Sequence, residues 1–125
     1  MRAKVFMAVF GILLFTTCKK QDEVAPTETV ENAQLLCNAD LAWLKDIIKK
    51  ADEDKATKQY KGNYMGTIHV VIFNNEPLFL VRMMMGSGGL AGYVFTCAGT
   101  RAYPDPPDFE SNVQNKGKLI YNNIP

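Results

Sequence analysis

The sequence predicts an α+β fold, one amphipathic helix packed on a small antiparallel β-meander and stapled by one disulfide. Three observations predict it. Leu41, Leu44, Ile47, Ile48 and Ala51 recur at i, i+3, i+6, i+7 and i+10, the spacing of one apolar helix face. After Lys61-Gly62-Asn63 the chain turns rich in β-branched residues and alternates like a strand. Cys37 and Cys97 remain as a pair once Cys18 has its own role.

The chain has 125 residues, 14 Lys+Arg against 13 Asp+Glu, and a formal charge of +1. That length allows one domain, and a phosphate-contacting nucleic-acid binder would carry a basic excess that is missing here. Apolar residues make up 47% and charged residues 22%, which excludes a wholly disordered tail. No apolar run reaches the roughly 18 residues that span a bilayer.

Residues 1–17 read as a lipoprotein signal peptide. Arg2 and Lys4 form a basic start, and Val5 to Phe15 is an unbroken apolar run. The segment Leu14-Phe15-Thr16-Thr17-Cys18 resembles a bacterial lipobox, with Thr17 where Gly, Ala or Ser is usual. The resemblance implies lipidation of Cys18 and removal of the signal; the alternative is ordinary cleavage with Cys18 left as a spare thiol. Several acyl chains at one residue would hold firmly, at about 0.8 kcal/mol per buried CH₂. Lys19-Lys20-Gln21-Asp22-Glu23 is similar to the charged start of surface-exported lipoproteins. Residues 18–36 then read as a disordered, lipid-anchored tether, because they hold no aromatic residue and few apolar ones.

Residues 37–125 read as the folded domain. Such a small domain gains from a covalent staple, and an oxidising compartment favours a Cys37–Cys97 bond. A metal site is the weaker alternative, since two cysteines and one distant His are too few ligands. A Cys–His catalytic pair is the other. Asn38 or Asp40 is placed to cap the helix, and Asp52-Glu53-Asp54 reads as its solvated end. Met65 to Phe73 reads as a first strand, with Ile68, Val70 and Ile72 on one face and Thr67, His69, Val71 and Phe73 on the other. Asn74-Asn75-Glu76-Pro77 reads as a turn, and Leu78 to Met85 as the antiparallel partner. Tyr93 to Cys97 reads as a third strand, turned by Ala98-Gly99-Thr100 into Arg101-Ala102-Tyr103. Asp108 is placed to cap one short helical turn through Val113, and Lys118 to Tyr121 reads as a last strand.

No catalytic set emerges. His69 is the only histidine, and no nucleophile falls beside it by spacing. The run Gly86-Ser87-Gly88-Gly89 lacks the Lys-Ser/Thr and the following helix of a phosphate loop, and reads as a hairpin loop able to move onto a ligand. Met83-Met84-Met85 cannot converge on one copper ion, because neighbours on a strand face opposite ways. Trp43, Gly88, Gly89, Tyr103 and Phe109 are the candidate partner surface, with Trp43 placed at the core edge or as an exposed contact.

Cys37, the Leu41-Ala42-Trp43-Leu44-Lys45 helix start, the Gly66 to Arg82 hairpin and Cys97-Ala98-Gly99 together resemble small Bacteroidota lipoproteins of unknown function. The resemblance implies a fold and a disulfide, and no activity. The resulting expectation is a lipid-anchored binding or accessory module, not an enzyme, at the outer membrane and exposed on the surface. Its partners would be the membrane, through the lipid, and an unknown protein or glycan. No cofactor, metal or nucleic acid is expected. The alternative function is an inhibitor or immunity lipoprotein acting on a secreted or envelope enzyme.

Overall fold

The computed structural model describes residues 27–86 and 92–125. The fold is α+β. Its elements are α1 (Val30–Cys37), α2 (Ala42–Thr57), β1 (Thr67–Phe73), β2 (Glu76–Arg82), β3 (Tyr93–Phe95), α3 (Pro106–Lys116) and β4 (Lys118–Asn122). The four strands form one antiparallel sheet in the order β3-β2-β1-β4. The expected meander holds for β1 to β3, but β4 returns to the far edge beside β1. Cys37 and Cys97 are disulfide-bonded, closing a loop of 60 positions. Among the described residues no helix is long and apolar enough to cross a membrane.

Residues 27–36 hold more structure than their composition suggests. Thr27 bridges in parallel to Leu119, and the Glu28 N–H donates to the Leu119 carbonyl at 2.8 Å. Thr29 Oγ1 caps α1 by accepting from the Asn32 N–H at 3.0 Å. The expected tether through residue 36 is therefore corrected over 27–36. Its few apolar groups suffice because Ala33, fully buried, lets α1 approach the core closely.

Helix α2 also starts differently. Neither Asn38 nor Asp40 caps it. Leu41 takes the cap position in a left-handed conformation, φ 58°, without a side-chain bond. A left-handed L-residue costs roughly 1–2 kcal/mol. Leu41 is only 3% exposed, and burying a leucine stabilises by about 1.5–3 kcal/mol, which offsets that cost. Asn38 instead ends α1 in the left-handed region.

The β1–β2 hairpin turns on Asn74 (φ 52°) and Asn75 (φ 66°). Two successive positive φ values match the right-handed twist of the paired strands, and Asn tolerates them best after Gly. Strand β2 begins at Glu76, inside the expected turn, and ends at Arg82 rather than Met85. Pro77 is tolerated because β3 pairs only with Phe79 to Val81, so no strand needs its missing N–H.

Leu78, Phe79, Leu80 and Val81 are buried in succession, so both faces of the sheet are covered. Phe79 and Val81 pack with Ala33, Leu44, Ala51, Ile68, Val70 and Met83 on the α1–α2 face. Leu78 and Leu80 pack with Val71, Phe109 and Val113 on the α3 face. The single covering helix of the sequence reading is thus corrected to three helices among the described residues, on both faces. Helix α3 runs 11 residues rather than one turn, entering through Pro106 and Pro107 at its start instead of an Asp108 cap. The methionine run divides as its alternation requires: Met83 is buried, Met84 exposed, and Met85 packs on the α2-side core.

Two buried polar side chains hold the connections. Asp54 Oδ1 accepts from the Tyr60 and Gly62 N–H groups at 3.0 Å each, and Oδ2 from Tyr64 N–H at 2.9 Å. This corrects the solvated helix end, which keeps only Asp52 fully at the surface. Asn123 Oδ1 accepts from Gly66 N–H, while its Nδ2 donates to the Ala51 and Tyr64 carbonyls. Gly66 itself must lack a side chain, since a Cβ would meet the Arg82 carbonyl oxygen.

Burial pushes the Asp54 pKa up, but the three backbone donors outweigh it and leave the carboxyl below its ordinary value of 3.8. Its stabilisation is therefore present above pH 3.8 and lost as pH falls through the lower folded value. Asp54→Ala strands three backbone N–H groups. We expect a loss of about 3 kcal/mol in denaturant unfolding at pH 7, with the gap from wild type closing below pH 3.8.

Candidate functional site

The edge beside β3 is assembled by one aromatic side chain. The Trp43 indole N–H donates to the Cys97 carbonyl at 2.9 Å. Its ring packs edge-on to Phe79 at 5.3 Å and tilted on Phe95 at 5.2 Å. Gly99, at φ 84°, lies so close that a Cβ would stand 2.8 Å from the indole. With Cys97 also tied to α1, the 96–100 turn is pinned from two sides. Trp43 therefore sits at the core edge, and the exposed alternative is set aside.

The turn delivers Arg101 to β3. Thr96 N–H donates to Thr100 O at 2.9 Å, and Ala102 N–H to Val94 O at 2.8 Å. Only a single bridge, Phe95–Arg101, forms, so the expected strand over 101–103 shortens to that. Pro104 follows at once and stops further pairing.

On the α3 face this edge borders an open groove of about 420 Å³. Leu80, Val94, Ala102 and Phe109 line it with apolar surface, and Gly92, Arg101, Tyr103, Pro104, Pro106 and Glu110 complete it. Arg82 Nη2 and Glu110 Oε1, 3.1 Å apart, tie β2 to α3 beside it. On the opposite face of the edge, the Arg101 guanidinium lies 4.5 Å from the Tyr93 ring centre and 5.2 Å from that of Tyr103. Tyr93 is itself stacked on Phe95 and donates through its hydroxyl to the Met84 carbonyl. Such stacking orients a guanidinium while leaving its donors available.

Tyr103 is 81% exposed and matches its reading as a surface aromatic. Phe109 does not. At 3% exposure it packs edge-on to Phe73 at 5.5 Å and joins the α3-side core, because α3 turns that face onto the sheet. It is corrected from a contact residue to a supporting one. Gly88, Gly89 and Cys18 lie outside the described residues. Periodicity and motif mark neither Arg101 nor Glu110, nor the meeting of their segments. The Ala98-Gly99 turn is the one local signal that places Arg101 beside β3, and nothing local marks Glu110. A smaller cleft of about 120 Å³ lies by Leu36, Val70 and Ile72. It has less room and no aromatic rim.

His69 is half-buried on the α3 face of the sheet, opposite Leu80 and Leu119 in the flanking strands. Its Nδ1 is buried without a hydrogen-bond partner among the described residues. Among these residues, no group of three or more His, Cys, Asp or Glu is placed to hold a metal ion. No protein-family model matches the chain, and neither a curated protein nor a solved structure matches it.

Burial, and then the Arg82 charge, hold the His69 pKa below its ordinary 6.5. The fold favours the neutral ring, so this stability is complete above pH 6.5 and is lost as pH falls through the lower folded value. Wild type should lose unfolding midpoint as pH drops below 6.5, and His69→Phe should lose less over the same interval. Parallel curves for the two proteins would refute this placement of the ring.

Proposed function

We infer that the chain is a lipid-anchored binding module of the cell envelope and that the groove beside β3 is its ligand seat. The edge carries this reading: it sets an apolar groove on one face beside an oriented cation and an exposed aromatic on the other, the mixture that binding sites use for affinity and specificity. The sheet order supports the orientation such a module needs. Thr27 and Glu28 run along β4, at the edge opposite β3. Three strand spacings separate the two edges by about 14 Å. Chain arriving from an anchor at Cys18 would reach the domain at Thr27, on the edge away from the groove. The basic start, short apolar run and lipobox-like segment support the anchor itself. Binding, with no chemistry on the ligand, is the activity proposed.

A photo-cross-linking amino acid at position 103 in intact cells tests this, with exposed position 55 on α2 as control. One discrete adduct from position 103 and none from 55 is expected. Equal labelling, or none at either, would overturn the groove as ligand seat. In the same cells Cys18→Ser should leave the membrane fraction, and its retention there would overturn the anchor.

A further inference from the structure

We propose that the outer edge of Arg101–Tyr103 takes an extended peptide strand carrying an acidic residue between two apolar ones. The inference rests on the groove being the ligand seat and names its occupant. In an antiparallel pair, residues alternate between those that exchange backbone hydrogen bonds with the neighbour and those whose N–H and C=O point outward. The Thr96–Thr100 and Ala102–Val94 bonds bracket the Phe95–Arg101 pair. Arg101 is therefore an outward residue, and the two-residue period makes Tyr103 another. Among the described residues, the main-chain N–H and C=O groups of both have no hydrogen-bond partner. Both residues are exposed. That is a short open row of donors and acceptors at strand spacing, which an extended backbone matches and a sugar does not.

The two faces of the edge then set the side chains. A strand added here sends alternate residues to opposite faces. One set falls on the groove, where Val94, Ala102 and Phe109 offer apolar contact. The other set meets Arg101, held between the Tyr93 and Tyr103 rings. Among the described residues Arg101 has no acidic partner, whereas the neighbouring Arg82 is matched by Glu110. Charge complementarity therefore asks for Asp or Glu between the two apolar positions. A second copy of the chain fits less well. Two-fold edge pairing would bring two unmatched Arg101 cations onto one short edge, and like charges close together across strands are unfavourable.

The test is selection of a random ten-residue peptide display library on the intact, disulfide-bonded chain. Selected peptides should carry Asp or Glu flanked by apolar residues. Arg101→Glu, with its unfolding midpoint unchanged, should weaken a selected peptide about tenfold, and exchanging the peptide's acid for Lys should restore binding. N-methylation should abolish binding at alternate peptide amides only. Failure to select any peptide, indifference to Arg101→Glu, equal sensitivity at every amide, or a chain that sediments as an edge-paired dimer would each overturn the proposal. A cross-link at position 103 that persists through any of these would leave the binding reading standing without the strand.

Discussion

The indole of Trp43 determines where the outer edge of the sheet can lie. It reaches from α2 across Phe79 and Phe95 to the Cys97 carbonyl, and Gly99 is pressed against its ring. The Cys37–Cys97 bond ties the same turn to α1. Covalent closure of a 60-position loop is worth about 4 kcal/mol in the chain-entropy model. The staple supplies part of the stability that so small a domain lacks in core. The larger consequence is positional. Arg101 reaches β3 only because the turn before it is immobilised from two directions. The groove and the cation–aromatic stack on either side of that segment inherit their geometry from it.

Each sheet edge is covered by one isolated bridge. An uncovered edge strand invites pairing with another chain. Beside β4, one parallel bridge at Leu119 brings in Thr27 and Glu28, which lead directly into the capped helix α1. Beside β3, the covering segment is one bridge long, and Pro104 ends it before its outer side acquires a partner. The interior can support such sparse edge pairing because β2 is buried on both faces, so the sheet draws its stability from the centre. Asp54 and Asn123 add to this by satisfying the backbone of the 58–66 connection from inside.

Much of this fold is legible in the sequence, and what is missed has identifiable causes. The stripe Leu41 to Ala51 and the alternation through Ile68 and Val70 mark elements that bury one clear face, so periodicity finds them. The helix over 30–37 escapes because it contributes one small residue, Ala33, to the core, too weak a pattern to register. Leu41 as a helix cap escapes because tertiary burial overrides capping preference. Asp54 reads as surface because its partners are backbone groups six to ten positions later, which no local pattern encodes. Phe109 reads as exposed beside three prolines, until the long helix they initiate turns it inward. For the groove, the sequence marks Tyr103 and the turn before Arg101, but the meeting of β3, α3 and that segment is tertiary.

Among the described residues, Arg101–Tyr103 is pinned on its inner side and open on its outer side. Residue-resolved amide hydrogen exchange tests it directly. The Ala102 amide, bonded to Val94 O, should exchange slowly while the Arg101 and Tyr103 amides exchange fast. In Cys37→Ala/Cys97→Ala, Ala102 should lose its protection while Val70 and Val81 in the central strands keep theirs. Slow exchange at Arg101 and Tyr103, or Ala102 protection that ignores the loss of the disulfide, would contradict it.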